Sequence, residues 1–263
     1  MSLDIDLSDR HALVCGASRG IGRACAEALA ALGATVTVVA RDQARLRALA
    51  ESLCEQTGKP HQWLAADFSN PDKVKEQFSA FLETHPVQIL INNAGGPPPG
   101  PIVDSEPEAF LDGMRCHLVS NQLLVQAALP GMRAAGYGRV INIISTSVYE
   151  PIPGLGVSNT VRAAVAAWAK TLSAELAPEA ITVNNVLPGF TATDRLDSLI
   201  RGRAEKAGKS QAEIADAMRA AVPMGRFADA GEIAAAVAFL ASPAAGYITG
   251  VSLAVDGGRL KSL

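Results

Sequence analysis

Ala12-Leu13-Val14-Cys15-Gly16-Ala17-Ser18-Arg19-Gly20-Ile21-Gly22-Arg23-Ala24 passes from a short apolar run, through three glycines, into an Ala- and Leu-rich stretch that continues to Leu32. The order is strand, Gly-rich turn, helix. Glycines at such a turn accept positive backbone dihedrals and leave room for a ligand to approach the main chain. The free N–H groups and positive dipole end of the following helix then stabilise a pyrophosphate. The stretch from Gly16 through Ser18, Arg19, Gly20 and Ile21 to Gly22 is therefore read as a dinucleotide-binding turn.

The same alternation continues downstream. Apolar, β-branched runs at 35–40, 88–91, 139–144, 182–186 and 251–255, with a weaker one at 61–66, alternate with helical stretches near 23–32, 43–56, 72–83, 108–134 and 158–176. Strands separated by helices pair in parallel, and right-handed crossovers place the helices on both faces. The expected fold is α/β: a three-layer, doubly wound, Rossmann-like parallel sheet of about seven strands, forming a single domain over 1–263. The Pro-rich stretch 95–101 reads as a stiff loop over a site. The polar, charged segment 194–224 contains no strand and reads as a mobile lid.

Composition narrows the partners. A formal net charge of -3 over 263 residues gives no footprint for nucleic acid or an anionic membrane, and a small molecule is the expected partner. Cys15, Cys25, Cys54 and Cys116 are scattered without a Cys-x-x-Cys pair, so neither zinc nor a disulfide framework is expected. Residues 1–9 are acidic and lack a basic start followed by an apolar stretch; the chain reads as cytoplasmic. Cofactor choice is read at the end of the second strand, where an acid would hold ribose hydroxyls and a base a 2′-phosphate. Arg41 stands there, so NADP(H) is preferred over NAD(H), with Arg19 as a second guanidinium on the phosphate. Asp42 follows and offers a partner to Arg45, in which case Arg41 is only a surface charge.

The Gly-rich turn, Asn92-Asn93-Ala94-Gly95, Gly138-Arg139-Val140-Ile141-Asn142-Ile143, Pro188-Gly189-Phe190, Tyr247-Ile248-Thr249-Gly250 and Val255-Asp256-Gly257-Gly258 stand in one order along nearly the whole chain. Together they resemble the short-chain dehydrogenase/reductase family and are especially similar to its 3-oxoacyl-acyl-carrier-protein reductases. The resemblance implies that Asp67 and Phe68 lie beside the adenine. It implies that Asn93, Ala94 and Gly95 border the adenosine ribose, and that Pro188, Gly189, Thr191 and Thr193 approach the nicotinamide and its phosphates. It also implies a homo-tetramer or homo-dimer.

Family chemistry uses Ser, Tyr, Lys and Asn. Here the Ser position is Ser145, the Tyr position thirteen residues on is Ser158, and the Lys position four further is Arg162. Positions four apart share a helical face, so Ser-x-x-x-Arg keeps the placement of Tyr-x-x-x-Lys but changes its chemistry. An aliphatic hydroxyl is far too weak an acid to replace a phenol, and a guanidinium stays protonated, though Arg162 can still donate hydrogen bonds to the nicotinamide ribose and supply a positive charge. The Asn position falls on His117, or on Asn121 if the register slips one turn. His117, with an ordinary pKa of ~6.5, is the candidate proton donor; Tyr149 is a second, unless it packs on Pro151 or Pro153. The expectation is a divergent NADP(H)-dependent reductase of a carbonyl or alcohol substrate, 3-oxoacyl-like in kind. The alternative is a noncatalytic NADP(H)-binding sensor, scaffold or partner subunit.

Overall fold

The structure, a computed structural model, describes residues 3–262. Seven strands form one parallel sheet: β1 His11–Cys15, β2 Thr35–Ala40, β3 Gln62–Ala65, β4 Ile89–Asn92, β5 Gly138–Ile143, β6 Ile181–Pro188 and β7 Ser252–Val255. Their order is β3-β2-β1-β4-β5-β6-β7, so the direction of winding reverses between β1 and β4. In open sheets of this kind a crevice opens beyond the carboxyl ends of the strands at that reversal.

Both faces of the sheet are covered. Ala12, Val14, Ile89, Ile91, Ile141 and Ile143 point to one face, where they pack with α1 (Gly20–Ala31), α2 (Gln43–Thr57) and α9 (Ala230–Ala241). Leu13, Leu90, Val140 and Val183 point to the other, against α3 (Pro71–Thr84), α5 (Ser120–Ala135) and α6 (Gly156–Leu176). Burial on both sides is why the strands read as continuous apolar runs. The expected doubly wound architecture is present, weak third strand included.

The helix expected over 108–134 is not one regular helix. α4 (Pro107–Met114) runs into a π-helical turn at Arg115–Val119, where the Ser120 N–H donates to the Arg115 carbonyl, before α5 resumes. A wide turn of this kind shifts the following residues around the helix axis, which a constant 3.6-residue period does not express. Between Asp194 and Met224 lie α7 (Asp194–Ala207) and α8 (Gln211–Ala220), which share a small apolar cluster of Leu196, Ile200, Ala215 and Met218.

One polar feature crosses the carboxyl half of the sheet. Asn92, Asn142, Asn185 and Ser252 occupy paired registers on β4, β5, β6 and β7. Asn92 Nδ2 donates to Asn142 Oδ1 (2.9 Å), Asn142 Nδ2 to Asn185 Oδ1 (3.0 Å) and Asn185 Nδ2 to the Ser252 hydroxyl (3.0 Å). The three amides are buried, so each bond satisfies groups that water cannot reach. Replacing Asn142 by Leu orphans a donor on Asn92 and an acceptor on Asn185. At about 1–3 kcal/mol per orphaned group, the variant is expected to melt roughly 5–20 °C lower; a thermal melt within 2 °C or so of the parent would show that the ladder contributes little.

Candidate functional site

The crevice begins at the Gly-rich turn. Gly16 has φ 62°, and a Cβ there would lie 2.6 Å from both the Asn93 carboxamide nitrogen and the Asn93 carbonyl oxygen. A Cβ on Gly22 would drive into the Gly16 carbonyl. Asn93 Nδ2 donates to the carbonyls of Cys15 (3.3 Å) and Gly16 (3.4 Å), tying the end of β4 to the turn after β1. The amino end of α1 is thereby left bare of side chains and facing the crevice, the cradle a pyrophosphate needs. Thr193 closes it from the other side, its methyl 3.2 Å from where a Cβ on Gly20 would stand. Thr191 is buried, and the Gly189 N–H donates to the Val255 carbonyl (2.9 Å), which fixes the segment after Pro188 against β7.

At the far end of the crevice Asp42 caps α2 and pairs with Arg45 (3.3 Å). Among the described residues Arg41 has no ion-pair partner. Its charge reaches Asp67, whose carboxyl is held below the usual range first by the Ser69 backbone N–H and then by the Ser69 hydroxyl, with Arg41 adding to the effect. Asp67 does not cap α3; Asn70 does, accepting from the Lys73 N–H. The Phe68 ring turns inward and stacks on Phe78, so the residue presents only backbone to the crevice. Arg19 is exposed and pairs with Asp194 (2.9 Å) at the start of α7, a contact with no local trace in the sequence.

At the other end, Ser145 follows β5 and its hydroxyl oxygen accepts from the Ser147 N–H (3.1 Å), which leaves the hydroxyl proton free to donate. Arg162, on α6 and only 8% exposed, donates from Nη1 to the Ile143 carbonyl (2.8 Å), two residues before Ser145. Its other terminal nitrogen faces Gly96, in the loop after β4. A Cβ built on Gly96 would have Arg195 Nη2 at 3.5 Å, Arg162 Nη2 at 3.7 Å and Ser158 Oγ at 4.0 Å. The tertiary structure thus brings Ser158 and Arg162 together as their spacing implied. It adds Arg195, which donates to the Pro97 carbonyl (2.9 Å). No local signal marks Arg195: it is one of several arginines in a polar helix, and its partner lies 98 residues away.

His117 is placed differently from its expected role. The ring is 3% exposed, and Nε2 donates to the Gly95 carbonyl (3.0 Å). Burial, reinforced by the Arg162 charge, pushes its pKa down to about 3. The side chain is therefore a neutral imidazole at physiological pH and carries no proton to donate beyond the one engaged with Gly95. Burial and the Gly95 contact argue against the expected role of His117 as an imidazolium donor near pH 7. His117, rather than Asn121, is the residue that reaches this loop. Tyr149 is half exposed and its hydroxyl lies 3.5 Å from the Ser252 carbonyl, toward β7.

The family model described as enoyl-(acyl carrier protein) reductase matches residues 16–259. The 3-oxoacyl-[acyl-carrier-protein] reductase of Vibrio cholerae is 37% identical over 257 residues, covering 97% of this chain and 98% of its own. Among solved structures, L-sorbose reductase from Gluconobacter frateurii, complexed with NADPH and L-sorbose, superposes with a TM-score of 0.93 at 31% identity, covering 99% of this chain and 100% of that one. An NADPH-bound short chain oxidoreductase from Pseudomonas aeruginosa PAO1, described as containing an atypical catalytic center, gives a TM-score of 0.87 at 29% identity, covering 98% and 99% of the two chains. With the seven-stranded order, the glycine cradle and a match over nearly the whole sequence, the chain belongs to the short-chain dehydrogenase/reductase family.

Proposed function

We propose that the protein is an NADP(H)-dependent reductase of a carbonyl compound, or the corresponding alcohol dehydrogenase, working through an atypical Ser-Ser-Arg site. The observation that carries this reading is the Arg162–Ile143 hydrogen bond, which locks the Ser158/Arg162 turn of α6 to the strand end that presents Ser145. The residues fit the cofactor. Gly16 and Gly22 leave the space, the start of α1 faces the pyrophosphate, and the unpaired Arg41 stands where a 2′-phosphate would lie. Arg19 can join it by exchanging Asp194, since an exposed pair of this kind is worth only ~0–1 kcal/mol. The NADPH-bound relatives support the same choice.

A ketone or aldehyde oxygen placed between Ser145 and Ser158 accepts their hydroxyl protons as hydrogen bonds. The Arg162 charge then stabilises that oxygen as negative charge develops on it. NADPH, when bound, supplies the hydride. Ser158 holds the oxygen but is too weak an acid to protonate it, and His117 is neutral. The proton on the new alcohol therefore comes from water. The α7–α8 hairpin, with its own apolar cluster, closes over the site as a lid. The free thiols suit the cytoplasm. Leu253 and Val251 beside the open edge of β7, and Tyr247 near it, are exposed, which supports assembly into a homo-dimer or homo-tetramer across that edge.

NADPH oxidation over a panel of ketones, aldehydes and 3-oxoacyl thioesters tests the activity. Ser145→Ala is expected to lower kcat by about 10²–10³, the usual loss of one oxyanion donor, with NADPH affinity unchanged. No turnover with any substrate, despite saturable NADPH binding, would favour the noncatalytic reading, for which the altered Tyr and Lys positions argue. Arg41→Asp is expected to weaken NADPH binding by at least about tenfold, since a charge-assisted hydrogen bond is worth ~1.5–3 kcal/mol, while leaving NADH binding nearly unchanged; equal losses for the two cofactors would overturn the Arg41 assignment.

The neutral His117 sets the pH behaviour. Turnover is expected to show no inflection between pH 6 and 8, and an inflection near 6.5 that His117→Gln removes would restore the histidine as donor. Stability should respond at lower pH. With the folded pKa at about 3 and the unfolded value near the ordinary 6.5, the unfolded chain holds the extra proton between those limits. Stability is thus full above ~6.5 and declines as pH falls, by roughly 1.4 kcal/mol per unit. Urea melts from pH 7 to 4 should show His117→Gln with the shallower decline.

A further inference from the structure

Four guanidiniums near the substrate side of the crevice, Arg162, Arg195, Arg203 and Arg259, make no ion pair among the described residues, although the Arg259 charge also acts on Glu150. Arg162 and Arg195 converge on the open face of Gly96, with the Ser158 hydroxyl near the same point. Further out, Arg259 donates to the Thr146 hydroxyl (3.2 Å), next to Ser145, and Arg203 lies close enough for the Arg259 charge to act on it. The acids nearby are committed elsewhere: Asp194 to Arg19, Asp256 to the Gly258 and Leu260 N–H groups, and Glu150 to those of Lys261 and Ser262.

Arg162 is the telling member. A buried charge without a counter-ion is costly, and proteins almost always pair it. Its one direct protein acceptor is a backbone carbonyl, which is neutral. The thiol of Cys116 is near, but burial raises its pKa, so it stays protonated and offers no negative charge. The cofactor does not provide the missing anion at this end either. Its phosphates belong at the glycine turn, while the nicotinamide is neutral when reduced and cationic when oxidised. The remaining source is the substrate.

We infer that Arg195, together with the terminal Arg162 nitrogen that faces Gly96, forms an anion site that selects carbonyl substrates carrying a carboxylate or phosphate group. Arg195 is the specificity-determining member: it comes from the α7 side of the crevice, makes one hydrogen bond to the Pro97 carbonyl, and keeps its other donors for a ligand. Seating the anion there would also draw the amino end of α7 and the Gly96 loop together. This inference rests on the reductase reading for the identity of the carbonyl, but not for the existence of the anion site.

The test uses the full-length protein saturated with NADP⁺ and matched probes: acetoacetate against methyl acetoacetate, and dihydroxyacetone phosphate against dihydroxyacetone. Calorimetric affinity and thermal shift are read alongside NADPH oxidation. At least one anionic probe should bind about 30-fold or more tightly than its neutral partner, the scale of losing one member of a desolvated charge pair. Which pair shows the preference separates carboxylate from phosphate. Arg195→Met should erase most of that preference while leaving neutral-probe binding unchanged, and Arg195→Lys should restore part of it. Equal binding of charged and neutral partners, or a preference that survives Arg195→Met, overturns the site. Charge-selective binding lost in Arg195→Met without any NADPH oxidation would sink the reductase reading and sustain the anion site; oxidation of neutral carbonyls with no charge preference would do the reverse.

Discussion

The carboxamide of Asn93, donating to the carbonyls of Cys15 and Gly16, is the contact around which the crevice is organised. It joins β1 to β4, the two strands between which the winding reverses, and it does so only because Gly16 and Gly22 have no Cβ to obstruct it. Any side chain at Gly16 would meet Asn93, and at Gly22 would meet the Gly16 carbonyl. The chain therefore brings three backbone segments together, with the bare amino end of α1 at their centre. A ligand with negative charge and little tolerance for obstruction is what such a place can hold.

From that point the polar interactions run along the carboxyl ends of the strands. The Asn92-Asn142-Asn185-Ser252 ladder fixes β4 to β7 in register near the edge where the site is built. Arg162 then fixes α6 to the end of β5, and His117 fixes the π-helical turn between α4 and α5 to the loop after β4. Each of these buried groups bonds to backbone, an amide or a hydroxyl rather than to an opposite charge. The consequence is that the buried Arg162 guanidinium and the neutral His117 imidazole lie together at the carboxyl ends of the strands without an ion pair among the described residues.

Much of the fold is legible in the sequence itself. The glycine spacing, the alternation of strand and helix, and the apolar runs of strands buried on both faces are local patterns, and the doubly wound sheet follows from them. That Ser158 and Arg162 lie near one another, with Arg162 bonded to the strand end before Ser145, also follows from counting, because a strand end and a four-residue step on one helix preserve spacing through folding. Other features had no local trace. The π-turn at Arg115–Val119 breaks the regular period silently. Arg195 and Pro97 meet across 98 residues, and Arg19 and Asp194 across 175.

His117 shows the limit most directly. Its sequence position made it the candidate acid, because an imidazole has an ordinary pKa near neutrality. That property belongs to the solvated side chain. Burial and the neighbouring Arg162 charge remove it, and both arise only once α6 packs against the π-turn. The sequence by itself determined the order of elements, the glycine cradle and which side chains have the chemistry to act. The tertiary structure decided which of them are charged, which face one another and which are left without a partner, because desolvation and long-range contact come into being only when the chain is folded.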